Sequence, residues 1–96
     1  MQFKATPVNV NGMSLSAYAE DLDMAILLKR FPEGVMSGYL NEEIGYYSDE
    51  LGFLAEDGKV YYVYSRFGHV RIGSPEGFSS SGAKELISFL KSSIKD

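Results

Sequence analysis

The amino-acid sequence predicts an α+β domain: an antiparallel sheet of four to five strands, one helix near the N-terminal third and one C-terminal helix. Three observations carry that prediction. The middle of the chain, "LGFLAEDGKVYYVYSRFGHVRIG" (51–73), holds apolar runs broken at Asp57-Gly58 and at Arg66-Phe67-Gly68, glycine-bearing turns of the kind that reverse strands. Near the C-terminus, Ala83, Leu86, Ile87, Leu90 and Ile94 recur at i, i+3, i+4, i+7 and i+11, the stripe of a helix with one buried face. From about Ser16, Tyr18, Leu22, Ala25, Ile26 and Lys29 also fall at helical spacing. At 96 residues the chain has the size of one domain with one core.

Taken in order, Phe3 and Ala5, then Val8 and Val10 beyond Pro7, alternate as a strand does, and a proline inside such a pattern fits an edge or a bulge. Asn11-Gly12 is a two-residue turn signal, which lets the chain double back through Met13 and Leu15. The first helix then carries Glu20, Asp21 and Asp23 near its start and Lys29 and Arg30 near its end, a charge order that complements the helix dipole. Pro32 closes it, because the residue before a proline is pushed out of the helical region. "VMSGYL" (35–40) reads as a short strand and "NEEIGYYSDE" (41–50) as the least regular piece. After the central strands, Gly73 to Gly77 is turn-rich, and Ser79 to Ser81 stand where a helix cap belongs. "PEG" occurs at 32–34 and 75–77 in flanks that do not align, so it is turn chemistry and not a repeat.

Register decides which side chains the central strands present. A two-residue turn at Asp57-Gly58 pairs Glu56 with Lys59 and Phe53 with Tyr62, which puts Leu51, Phe53, Ala55, Val60, Tyr62 and Tyr64 on an inner face. A three-residue turn at Arg66-Phe67-Gly68 needs positive φ only at the glycine, and it pairs Ser65 with His69 and Tyr64 with Val70. Val70 and Ile72 then join the inner face. Leu54, Tyr61, Val63, His69 and Arg71 share the outer one, and the C-terminal helix covers the inner one.

Composition excludes several function classes. There is no cysteine, hence no disulfide, thiolate metal site or cysteine nucleophile, and the expected compartment is the reducing cytoplasm. The N-terminus "MQFKATPVNVNG" lacks the apolar core of a signal peptide. The longest apolar run is "MAILL" (24–28), too short for a membrane span. The net charge of −4 is uneven. Residues 19–57 carry ten acids against Lys29 and Arg30, a balance of −8, whereas residues 58–96 carry six bases against three acids, a balance of +3. An acidic half repels nucleic-acid phosphates and steers in a basic protein partner.

His69 is the lone histidine, the side chain that titrates near neutrality. Ser65 opposite it would mimic a Ser–His pair, but no nucleophile-elbow pattern surrounds them. Tyr61, His69 and Arg71 together have the make-up of a protein-contact hot spot. "GFSSSGAKEL" (77–86) lacks the Lys-Thr ending of a phosphate-binding loop. "NEEIGYYSDE" does not place oxygen ligands as a calcium loop does. The expected contact residues are Glu42, Glu43, Tyr46, Tyr47, Asp49 and Glu50 in the acidic segment, with Tyr61, His69 and Arg71 on the outer face. No catalytic residue, cofactor or metal is expected. Leu54, Val63 and Tyr61 on an outer face also make a homodimer an open expectation.

No family motif is recognised. In general profile, as a small, acidic, cysteine-free chain without a catalytic constellation, the protein resembles bacterial toxin-immunity proteins and phage-encoded anti-defence proteins, anti-CRISPR proteins included. That resemblance implies a non-enzymatic, stoichiometric inhibitor of a basic or nucleic-acid-binding target. The other reading is a small ligand-binding or regulatory domain that uses the face around His69 and Arg71.

Overall fold

The computed structural model describes residues 2–8, 17–36, 49–66, 69–74 and 80–95, with backbone alone at 17–20, 66 and 80. The elements in chain order are β1 (Phe3–Ala5), β2 (Ala17–Glu20), α1 (Met24–Arg30), a 3-10 turn (Pro32–Gly34), β3 (Val35–Met36), β4 (Glu50–Ala55), β5 (Val60–Arg66), β6 (His69–Gly73) and α2 (Ser80–Ser93). The strands form one antiparallel sheet in the order β1-β4-β5-β6-β2, with β3 pairing β4 beside that path. The α+β architecture is therefore as predicted. The Asn11-Gly12 turn, the connector at 75–79 and the loop residues Phe67 and Gly68 lie outside the described residues, as do residues 37–48.

β1 and β3 tile a single edge of β4. Phe3 to Ala5 face Ala55 to Phe53, while Val35 and Met36 face Leu51 and Glu50. Thr6 donates its N–H to the Gly52 carbonyl at 3.0 Å; Pro7, which has no N–H to give, follows as the chain leaves the ladder. Residues 6–8 then run over β4 at Gly52, where a Cβ would collide with the Thr6 carbonyl and the Val8 nitrogen. Glycine is needed at that point because backbone lies directly on backbone.

The β4–β5 hairpin departs from the expected register. Gly58 donates to the Ala55 carbonyl and Ala55 to the Lys59 carbonyl, each at 2.9 Å, so Glu56, Asp57 and Gly58 form a three-residue loop. Gly58 has φ +88, and Asp57 Oδ1 accepts from the Lys59 N–H at 3.0 Å. A two-residue type I′ turn would have forced positive φ on Asp57 as well as Gly58; the longer loop confines it to the glycine. Phe53 consequently faces Tyr61, and Leu51 faces Val63. β5 is turned over relative to expectation: Tyr61 and Val63 are inside, whereas Val60, Tyr62 and Tyr64 lie on the outer face.

The β5–β6 pairing shifts by one in the opposite sense. Arg66 faces His69, Ser65 faces Val70, and Tyr64 faces Arg71, so two residues and not three separate the strands. The two shifts cancel at β6. Val70 and Ile72 are buried as predicted, with His69 and Arg71 on the other face.

The N-terminal helix is shorter than its periodicity implied. Ala17 to Glu20 pair with Gly73 to Val70 as β2, and Asp23 caps α1 by accepting from Ala25 N at 2.9 Å and Ile26 N at 3.4 Å. A side-chain acceptor at the first free amides sets the start. Within α1, Leu27 is the buried residue and Ile26 is exposed, which corrects the expected stripe. Phe31 ends the helix with its N–H on the Leu27 carbonyl at 3.0 Å, and Pro32 opens the 3-10 turn. α2 follows its predicted stripe, with Ala83, Leu86, Ile87 and Leu90 buried.

Both helices contribute to one core on the inner face. Phe89 of α2 meets the rings of Phe3, Phe31 and Phe53 at centroid distances of 5.4, 5.7 and 6.1 Å. Phe31 and Phe53 stand edge to face at 5.2 Å, a geometry that adds about 0.5–1.5 kcal/mol beyond area burial. This aromatic knot joins α1, α2, β1 and β4.

Candidate functional site

With the inner face filled by helices, the outer face is where the described residues leave polar chemistry. Its side chains come in rows across the strands. Met36 pairs with Glu50 and Tyr64 with Arg71, and continuing the β4–β5 register by one residue sets Glu50 opposite Tyr64. The next row holds Gly52, Tyr62 and Gly73. Leu54 and Val60 follow, with Lys4 beside Leu54.

The tyrosine row is built by its glycines. A Cβ at Gly73 would run into the Tyr62 ring, so the ring lies flat over the glycine backbone, an aromatic covering a strand glycine. Tyr62 stacks on Tyr64, with centroids 5.0 Å apart and planes 12° from parallel. Tyr62 is only 4% exposed. Its phenol is pushed far above the ordinary value, first by burial, then by Tyr64 and a hydrogen bond with it, then by the charge of Glu50. Tyr62 therefore keeps its proton at physiological pH.

Glu50 is 1% exposed and its Oε1 has no hydrogen-bond partner. Burial pushes its carboxyl up to about 7, because taking a carboxylate out of water penalises the charged form. Arg71, half-buried in the same row, has a buried Nε that is likewise without a hydrogen-bond partner. The two orphan atoms do not bond to each other. Neighbouring strands are about 4.8 Å apart, and Tyr64 of β5 stands between them.

The expected contact residues are redistributed by these positions. His69 is exposed and Arg71 is half-buried on the outer face. Tyr61 is not with them: it is 1% exposed, on the inner face, with its ring edge-on to Phe3 at 5.9 Å. Burial, then Asp57, then Glu85 raise its phenol above the ordinary value. Val63, expected outside, is fully buried. Ser65 faces Val70 and not His69, which places Ser65 and His69 on opposite faces and removes the Ser–His arrangement. Asp49 is exposed just before β4. Glu50 presents no carboxylate to solvent, which corrects its place in an acidic docking surface. Glu42, Glu43, Tyr46 and Tyr47 lie outside the described residues.

Sequence reasoning missed Tyr62 and Tyr64. The available signal was the pair of glycines inside strands, Gly52 and Gly73, since a strand glycine often marks a place where a ring or a backbone comes close. Among the described residues no group of three histidine or acidic side chains could hold a metal ion, and no helix is long and apolar enough to cross a membrane. Compared with family models, curated proteins and solved structures, the chain matches none.

Proposed function

We propose that the protein is a small protein-binding domain that docks an acidic surface onto a basic target, acting as a stoichiometric inhibitor of the toxin-immunity or phage anti-defence kind. The observation that carries this reading is the balance of ten acids against two bases over residues 19–57. Six of those acids, Asp21, Asp23, Glu33, Asp49, Glu56 and Asp57, are exposed, so most of that charge on described residues is available to solvent. A field of one sign raises the encounter rate with an oppositely charged partner and is screened by salt.

The test is charge reversal of Glu42, Glu43 and Asp49 together, with Glu50 left intact because it is buried. The immobilised protein should retain a basic protein at low salt, lose it as salt rises, and fail to retain it after reversal. Retention that is unchanged by the reversal at low salt overturns the reading.

A second reading, a ligand-binding or regulatory domain using the outer face, is favoured by one observation: the orphan Arg71 Nε beside the Tyr62–Tyr64 stack. Here Tyr64→Ala and Arg71→Ala should abolish binding of an anionic ligand while leaving the thermal transition cooperative. Tyr61→Ala is the wrong probe, since Tyr61 is core.

A further inference from the structure

A glutamate at the first position of a central strand has an ordinary place in solvent, yet Glu50 is shut away. Among the described residues, its immediate neighbours on the outer face are apolar or neutral. β3 presents Met36 as its cross-strand neighbour. Residues 6–8 cross at Gly52, one outer-face position further along β4, and the Val8 N–H donates to Met36 Sδ at 3.2 Å. β5 presents Tyr62 and Tyr64. Among the described residues, then, the ionisable positions on the face of Glu50 are those two phenols and Arg66 from β5 and, one strand further, Arg71 and His69 from β6. β3 and residues 6–8 supply none, and the exposed Asp49 stands just before β4.

We propose that Glu50 is a proton-operated latch: while neutral it seals the outer face beneath Met36 and the crossing residues 6–8, and once ionised it draws water in and frees β3 from β4. The geometry makes β3 the element that yields. Among the described residues it holds β4 through two register pairs, whereas β5 holds the other side of β4 through four. A buried carboxylate must find water or a cation. Arg71 does not supply one, because Tyr64 stands between them and the Glu50 Oε1 has no partner. The raised carboxyl, at about 7, sets the range in which the latch works, and the device is independent of which partner the protein binds.

Two measurements test it. In the intact protein, a carbon-13 NMR titration should show the Glu50 carboxyl changing state near neutral pH; a midpoint in the ordinary glutamate range, about 4.3, overturns the proposal and needs no variant. Amide hydrogen exchange at Val35, Met36 and Glu50 reads the release itself. If the carboxyl moves from about 7 when closed to an ordinary 4.5 when open, linkage gives about a tenfold loss of protection between pH 6 and pH 8, after correction for intrinsic exchange. The loss should be absent in Glu50→Gln and present in Glu33→Gln, an exposed control. An equal loss in Glu50→Gln, or none in the wild-type chain, overturns the proposal.

Discussion

The two faces of this sheet are built by opposite means. On the inner face Leu51, Phe53, Tyr61, Val63 and Ile72 meet α1 and α2 with no solvent left between them, and each gains by displacing water from apolar surface. On the outer face burial is achieved with awkward material: a glutamate, two glycines and Tyr62, which stacks on a half-buried Tyr64. The inner face thus holds the fold, and the outer face stores groups whose burial opposes it. Such a division is what separates a scaffold from a surface able to respond.

Phe53→Ala should break the inner side hardest. It removes a ring that touches Phe31 and Phe89 and should cost about 3–5 kcal/mol in chemical denaturation; a loss under about 1 kcal/mol would mean that the aromatic knot is not the core's centre. Next comes the pH dependence of Glu50. Its folded value of about 7 lies above the ordinary 4.5, so the folded state holds the proton more tightly. Stability is then fullest below 4.5 and falls as pH rises towards 7, by up to about 3 kcal/mol. Glu50→Gln should flatten urea midpoints across that window and make the protein more stable than wild type at pH 8; parallel curves for the two would contradict the assignment.

Gly52→Ala probes the crossing. The new methyl meets the Thr6 carbonyl and Val8 nitrogen, and overpacking of this kind costs about 1–3 kcal/mol. The loss should appear with increased exchange at Thr6, whose N–H bonds to Gly52; a neutral substitution would show that residues 6–8 lift off freely. The smallest effect belongs to Tyr64→Leu, which keeps bulk and deletes the ring stack, about 0.5–1.5 kcal/mol, read from the thermal midpoint and near-ultraviolet circular dichroism. If Tyr64→Leu destabilises as much as Phe53→Ala, the contrast between the faces fails.

Legibility in the sequence followed how many structural solutions each segment admitted. α2 reads cleanly because Ala83, Leu86, Ile87 and Leu90 leave only one helical face apolar. β4 and β6 also show which side is inward. "VYYVY" (60–64) does not: either register buries apolar or aromatic side chains, so pattern cannot choose and the turn must. Asp-Gly supports both a two-residue and a three-residue loop, and the strain at Asp57 settled it. The segment from 17 to 20 alternates as well as it fits a helix, and the caps at Asp23 and the partners on β6 decided for a strand. Of the contact residues, His69 and Arg71 were placed on the correct face, whereas Tyr61 exchanged places with Tyr62. The burial of Glu50 was hidden by its acidic neighbours, since a run of acids ordinarily signals solvent.

The tiling of β4 by β1 and β3 sets an order of assembly. β4, β5 and β6 are consecutive in the chain, but both flanks of that meander come from the first 36 residues: β1 and β3 on one side and β2 on the other. During synthesis, Phe3 has no Ala55 to face and Ala17 no Gly73 until the meander exists. Such pairings have high contact order and close late. β1, β2 and β3 therefore wait without their partners, and it is the meander, delivered afterwards, that calls both borders into place.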